Sequence, residues 1–307
     1  MSLAKLPLVF HPIYSQLKLA KNHRFPIEKY LALKQESEQQ YPTNIEFHSP
    51  DKIVSVEQLS TVHQLSYINE FISGDINEKA MKRIGFPWTE QFVKRTRTAV
   101  AGTIKTGHLA VEYGIAINCT GGYHHAHPDF GSGFCVFNDL VITAKELIEQ
   151  GKVNRVLIFD CDVHQGDGTA TCTENEANIF SLSIHCEKNF PTRKQQSDWD
   201  IGLGKHLNDD EYFEQVRTTL TTAINSFKPD FIIYDAGVDI HQDDDLGLLN
   251  ITTDGIYQRD KFVFETVKQL DIPVMAVIGG GYQRDIEALT KVHIQLVNAA
   301  IDCFVRA

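Results

Sequence analysis

Five short apolar runs set the terms for the rest of the chain: Ile115 to Asn118, Val156 to Phe159, Ile179 to Ile184, Phe231 to Tyr234 and Val274 to Ile278. A strand with one wet face alternates apolar and polar residues; these runs are largely apolar throughout, so each reads as a strand buried on both faces. Between and beyond them, Asn138 to Gln150, Asp209 to Phe227, Thr253 to Leu270 and Arg284 to Phe304 read as amphipathic helices. Strands that are apolar on both sides need cover on both sides, and alternation with helices supplies it. The pattern predicts one α/β domain over residues 1–307, in three α/β/α layers around a mostly parallel sheet.

Upstream the pattern is looser. Leu6 to Phe10 reads as a short strand, Pro26 to about Gln40 as a helix, and Gln64 to Ile72 as another, with capping-box spacing at Ser55-Val56-Glu57-Gln58. After a break at Gly85-Phe86-Pro87, a long helix is expected from Thr89 to Tyr113, with Gly114 as its C-terminal cap.

Charge and composition mainly exclude. A formal charge of −11 is unsuited to a phosphate backbone, which needs a basic face, so no nucleic-acid partner is expected. Cationic ligands, such as lysine-rich peptides or polyamines, are favoured instead. Runs such as Phe231 to Ile233 and Pro273 to Ile278 fall far short of the roughly 18 residues of a membrane span. Pro7 and His11-Pro12 interrupt the N-terminus before a signal-peptide core could form. The expectation is therefore no membrane and a cytoplasmic location. The six cysteines show no C-x-x-C spacing and read as reduced packing residues, with Cys161 the candidate for oxidation.

Polar clusters follow four of the five runs: Gly121-Gly122-Tyr123-His124-His125, Asp160 to Thr169, Asp235 to Asp239, and Gly279-Gly280-Gly281-Tyr282. Open α/β sheets bind ligands beyond the carboxyl ends of their strands, so clusters at four such ends point to one site. Within the second cluster, Asp160, Asp162 and His164 occupy alternate positions and would share one face of an extended backbone. Three polar groups at a buried strand end are costly unless a cation neutralises them. Two oxygen donors with one imidazole suit zinc, and also iron(II) or manganese. Gly166-Asp167-Gly168 reads as a tight turn bringing another carboxylate near. Adjacent histidines on a strand would point apart, so His124 and His125 can face one site only if the glycines before them permit an irregular turn.

In order and spacing, T-G-G-Y-H-H-A (Thr120 to Ala126), G-S-G-F-C-V-F-N-D (Gly131 to Asp139), D-C-D-V-H-Q-G-D-G-T (Asp160 to Thr169), Y-D-A-G-V-D (Tyr234 to Asp239) and G-G-G-Y-Q (Gly279 to Gln283) resemble the motifs of the histone deacetylase superfamily. The wording is closest to the class IV branch and its bacterial relatives, and the likeness runs from about Phe86 to the C-terminus, weaker before it. The resemblance implies an arginase/deacetylase-like fold and a zinc-dependent amidohydrolase that removes acetyl, or longer acyl, groups from the ε-amine of lysine. It implies one zinc on Asp162, His164 and Asp239, with iron(II) also compatible. His125 would be the general base and His124 an electrostatic partner or proton donor, backed by Asp167 and Asp160 respectively. Tyr282 would donate a hydrogen bond to the substrate carbonyl, and Phe134 and Phe190, with Gly133, would line an acyl-lysine tunnel. A structural potassium on Asp160, the backbone carbonyls of Asp162 and His164, and Ser183 is implied as well.

The wording departs from class I members, which carry P-G-H-H-A at the tandem histidines and a second histidine at the position of Gln165. No residue matches the rim aspartate of other branches. The same site would serve acetylated polyamines, which the negative charge also suits. A binuclear manganese ureohydrolase shares the fold class: Asp239-Ile240-His241 repeats the D-x-H spacing and Asp243 to Asp245 add carboxylates, although that acidic run reads better as a solvated loop facing cationic substrates. A scaffold that binds acyl-lysine without cleaving it would have no use for the whole set of ligands, histidines and tyrosine.

Overall fold

A computed structural model describes residues 3–306. In chain order its elements are β1 (Leu6–Val9), α1 (Lys29–Gln40), β2 (Ile45–His48), α2 (Val56–Ser60), α3 (Leu65–Ser73), α4 (Glu78–Ile84), α5 (Glu90–Tyr113), β3 (Ile115–Asn118), α6 (Asp139–Glu149), β4 (Val156–Asp160), α7 (Asp167–Thr173), β5 (Ile179–Cys186), β6 (Trp199–Leu203), α8 (Asp209–Phe227), β7 (Phe231–Asp235), α9 (Thr253–Gln269), β8 (Val274–Val277) and α10 (Ile286–Ala300). The strands make one eight-stranded sheet in the order β2-β1-β3-β8-β7-β4-β5-β6, and every pairing is parallel.

Both faces of the central strands are used. Val156 and Ile158 of β4, Phe231 and Ile233 of β7, and Met275 and Val277 of β8 join one core with residues of α5 and α6, among them Leu109 and Leu140. Leu157 and Phe159, Ile232 and Tyr234, and Val274 and Ala276 join the opposite core, with Leu220 of α8, Phe264 of α9 and Val297 of α10. Successive side chains of a strand point to opposite faces, so two apolar covers produce the uniform runs seen in the sequence.

The unforeseen strands, β2 and β6, are the two edges of the sheet. Each mixes apolar and charged residues, I-E-F-H and W-D-I-G-L, because an edge strand is only partly covered. Helix ends follow local chemistry. The Thr89 side chain accepts a hydrogen bond from the Phe92 amide at the start of α5, which ends at Gly114 with φ +83°. Ser55 and Gln58 complete a capping box on α2. The expected helix from Pro26 begins at Lys29.

The C-terminal segment corrects one expectation. Ile286–Val305 is long and apolar enough to cross a membrane by length and composition, but 67% of that window is buried inside the protein. Its apolar side is a core face packed against α9 and α1. Cys161 also differs from its expected role: it is fully buried, and burial pushes its thiol well above the ordinary range, so it is not a reactive thiolate.

For function, strand order is the decisive feature. β3, β8, β7 and β4 are consecutive across the sheet although they are far apart in sequence. The four polar clusters therefore leave the same carboxyl end of the sheet side by side.

Candidate active site

β4 ends at Asp160, and the chain beyond it does not stay extended. Asp160 Oδ1 accepts the amide of Asp162 at 3.0 Å, and Asp162 Oδ1 accepts the amide of His164 at 3.0 Å. Side-chain bonds to the amide two residues on turn the backbone. The shared face expected for Asp160, Asp162 and His164 is therefore not formed. Asp160 turns to His124, while Asp162 and His164 meet Asp239 from the loop after β7.

Ligand atoms of Asp162, His164 and Asp239 lie within 4.8 Å of one another, and all three residues are buried. His164 Nδ1 is 3.0 Å from Asp162 Oδ1 and 3.1 Å from Asp239 Oδ2. Backbone amides hold the other oxygens: Val163 donates to Asp239 Oδ1 at 2.8 Å and Gly280 to Asp162 Oδ2 at 2.8 Å. A Cβ at Gly280 would collide with both carboxylates, so only glycine leaves the donors this room. Asp239 Oδ2 is buried without a hydrogen bond. Burial and the neighbouring charge of Asp162 push Asp239 up to about 7. An orphaned oxygen in a pair of crowded carboxylates is what a divalent cation relieves, and the two-oxygen, one-nitrogen set fits zinc or iron(II).

His124, Asp160 and Asp235 form a second group of close donors. There, His124 Nδ1 and Asp160 Oδ2 are bonded to each other at 2.7 Å, and the other oxygen of Asp160 accepts the Asp162 amide at 3.0 Å. Both oxygens of Asp235 lack a partner, and burial, with the charge of Asp160, pushes this carboxyl well above its usual range. Ser183 stands beside Asp160 in register across β4 and β5, with its hydroxyl 3.0 Å from His185 Nδ1. No side-chain oxygen of Asp160 or Ser183 is orphaned, so the fit to a potassium ion is weaker here than the fit at Asp239.

Gly121 and Gly122, with φ of +98° and +86°, supply the irregular turn before the histidine pair. The two rings lie 4.1 Å apart, with their Nε2 atoms separated by 3.2 Å. Each Nδ1 rests on a carboxylate, His124 on Asp160 at 2.7 Å and His125 on Asp167 at 2.6 Å. Burial by itself would lower His124, but the charge of Asp160, joined by that of Asp162, holds it well above the ordinary range. Burial and the neighbouring His124 charge lower His125 to about 4, against the pull of Asp167. Adjacent rings are thus pushed in opposite directions, His124 toward the cation and His125 toward the neutral ring. The tight turn expected at Gly166-Asp167-Gly168 is in fact the start of α7. A Cβ at Gly168 would collide with the backbone of Ala126, and this close approach brings Asp167 to the histidine loop.

A cavity of about 270 Å³ leads from the surface to this floor, lined among others by Gly133, Phe134, Phe190, His164 and Tyr282. Phe190 stands edge-on to His125 at 4.8 Å and is 40% exposed at the mouth. The Phe134 ring is 5.8 Å from that of Tyr282, and Tyr282 is 6.2 Å from His164. Gly133 has φ +51°, and a Cβ there would strike the His125 ring. Phe134 keeps a left-handed backbone at φ +68°, which costs a non-glycine residue about 1–3 kcal/mol and is held by the hydrogen bond that its N–H donates to Ile84 O at 2.8 Å.

Several supporting residues escaped the sequence reading. Buried Lys29 donates to the carbonyls of Gly279 at 3.0 Å and Gly281 at 3.4 Å, strapping the turn that carries Tyr282. Burial lowers this ammonium to about 8, opposed by the charges of Asp239 and Asp162. The signal was its spacing with Leu33 and Ser37, which places Lys29 on the buried stripe of α1. Arg259 of α9 donates to the carbonyls of Gly237 at 2.7 Å and Ala236 at 3.1 Å, holding the loop of Asp239. The run Asp243 to Asp245 is not simply a solvated loop: Asp244 accepts the Tyr282 amide at 2.7 Å, and Asp245 pairs with Arg284 at 2.8 Å. His241 Nδ1 accepts from the Asp243 amide at 3.1 Å, and His241 stands outside both donor groups. Among the described residues, the second D-x-H therefore builds no second metal position beside the first.

Comparison with known proteins leads to the same region. The family described as "Histone deacetylase domain" matches residues 23–299. The chain is 42% identical over 306 residues, 97% of this chain and 99% of the other, to an uncharacterised protein of Picosynechococcus sp.. It is 30% identical over 240 residues to histone deacetylase 2 of Arabidopsis thaliana, covering 77% of this chain and 60% of that protein. The solved HDA15 HD domain superposes with a TM-score of 0.81 at 16% identity, covering 96% of this chain and 90% of that one, a likeness of fold.

Proposed function

The chain belongs to the histone deacetylase family, and from that premise we propose that it hydrolyses the amide of ε-acetyl-lysine by metal-assisted attack of water. The observation that carries the reading is the convergence of Asp162, His164 and Asp239 with the Asp167-backed His125 at the floor of an aromatic-walled cavity. Among the branches of the family we favour class IV, on the wording G-G-Y-H-H-A and on Gln165.

One divalent cation held by Asp162, His164 and Asp239, for which zinc is our choice, would supply Lewis acidity to the amide carbonyl and acidify a water molecule. The chain's own residues do the rest. Phe134 and Phe190 flank the methylene stem of the lysine, whose apolar length suits an aromatic wall. Asp167 holds the proton of His125 on Nδ1, so Nε2, which His124 Nε2 approaches at 3.2 Å, is the nitrogen whose lone pair turns to the proton of the attacking water. His124 keeps its charge beside that nitrogen and favours the build-up of negative charge on the substrate. The Tyr282 hydroxyl donates to the carbonyl oxygen as it becomes an oxyanion. His125 then passes its proton to the lysine nitrogen as the carbon–nitrogen bond breaks, and the second proton of the water follows it, leaving acetate and the lysine ammonium.

Two features bear on the substrate. The space at the reacting centre, lined by His124, His125, Asp162 and Tyr282 together with Tyr30 and Gly280, is only about 20 Å³, which supports acetyl over long acyl chains. Arg24 lines the mouth of the cavity, and a cation there supports a peptide over a polyamine. In a panel of lysine peptides from acetyl to long-chain acyl, run beside acetylputrescine, the acetyl-lysine peptide should lead in kcat/KM by about tenfold or more, a difference of about 1.4 kcal/mol. A lead for acetylputrescine or for a long-chain peptide would transfer the site to that substrate.

A further inference from the structure

We propose that His127 is a positioning residue for His125, acting through Asp167; the inference rests on the reading of His125 as the general base. The two carboxylates behind the histidine pair are anchored differently. Asp160 gives one oxygen to His124 and the other to the backbone amide of Asp162, a partner that no side-chain substitution removes. Asp167 has no such backbone donor on its carboxylate. Its Oδ1 takes His125 Nδ1 at 2.6 Å, and its Oδ2 takes His127 Nε2 at 3.1 Å. The orientation of the carboxylate that sets the tautomer of His125 therefore depends on a second imidazole.

His127 is itself held in place. Its ring stacks on Phe130 at 4.1 Å and 21°, and the Arg83 guanidinium lies over the Phe130 ring at 3.9 Å. Its Nδ1 lies 2.8 Å from the hydroxyl of Thr171, which can donate there or to the Gly168 carbonyl at 3.0 Å. Donation to Nδ1 places the ring proton on Nε2, the tautomer that Asp167 requires. The chain contains a plainly structural histidine for comparison. His63, equally buried, spends both ring nitrogens on backbone, 2.9 Å from the His127 carbonyl and 2.9 Å from the Asn138 amide. His127 instead spends its Nε2 on the carboxylate that orients the base. Burial would raise Asp167, yet the hydrogen bonds from His125 and His127 hold it well below the usual carboxylate range, so it stays an acceptor for both rings.

The test uses His127→Phe, which keeps a ring to stack on Phe130 but has no N–H. With an acetyl-lysine peptide, kcat should fall about 10–100-fold with KM little changed, as for other residues that orient a site through a carboxylate. His127→Gln, which returns a donor near the Nε2 position, should recover most of the loss. In an Asp167→Asn background, His127→Phe should add nothing further. A second readout needs neither metal nor substrate: in nitrogen-15 spectra of metal-free protein, the His125 Nδ1 proton should shift in His127→Phe and return in His127→Gln. Wild-type kcat in His127→Phe, full additivity with Asp167→Asn, or an unmoved His125 resonance would each overturn the proposal. If His127→Phe does not fold, the volume-conserving Thr171→Val takes its place, with kcat falling several-fold if the tautomer matters and unchanged if His127 only packs. A wild-type protein that hydrolyses no acyl-lysine would count against the proposed function alone, because the spectra still read the contact.

Discussion

His125→Ala should lower kcat on an acetyl-lysine peptide by about 10²–10⁴-fold and leave KM nearly unchanged. The expectation follows from the protonation states of the paired rings. His125 is lowered to about 4 by burial and by the His124 charge, so at neutral pH its Nε2 carries a lone pair, while Asp167 occupies Nδ1. Nothing else at the cavity floor is both neutral and basic there: His124 is held protonated by Asp160, and His164 points its Nδ1 at Asp162 and Asp239. The loss belongs in kcat because the proton moves only in the transition state. Asp167 would lose one of its two imidazole partners, so a melting curve should accompany the kinetics. A folded His125→Ala protein with undiminished turnover would remove His125 from the mechanism.

Tyr282→Phe should cost about 10²–10³-fold in kcat, the usual effect of removing one donor to a developing oxyanion. The substitution is a clean one because the ring remains. The loop position is set by the Asp244 carboxylate on the Tyr282 amide and by Lys29 on the carbonyls of Gly279 and Gly281, none of which involves the hydroxyl. Burial, with the charges of Asp162 and Asp239, pushes the phenol well above its ordinary range, so it remains a donor throughout the working pH range. Metal content should not change, since Asp162, His164 and Asp239 are all untouched by the substitution. A Tyr282→Phe enzyme within about threefold of wild type would mean that the oxyanion is stabilised without it.

The central sheet was legible because β3, β4, β7 and β8 are covered on both faces and leave uniform apolar runs. The edge strands β2 and β6 were not, since partial cover mixes apolar with charged residues until a strand resembles a loop. The chemistry of the site was legible in residue types, as Asp162, His164, Asp239 and the histidine pair follow strand ends. Its local shape was less so. Period-two reasoning put Asp160 on the face of Asp162, whereas bonds from the aspartate side chains to later amides bend the chain and separate them. The glycines around Asp167 read as a turn, yet one of them packs on the Ala126 backbone at the start of a helix. The braces Lys29, Arg259, Asp244 and His127 were hidden for a common reason: each acts on a partner far away in sequence, and only the order of the strands brings them together.

The most direct measurement of the central claim is hydrolysis of an acetyl-lysine peptide by protein stripped with a chelator and then titrated with zinc. Activity should vanish on stripping and return to a plateau at one zinc per chain, while Asp239→Ala, which removes the oxygen left orphaned in the donor set, should neither retain zinc nor recover. Full activity in protein shown to be metal-free, or a plateau reached only with two manganese ions per chain, would contradict the account.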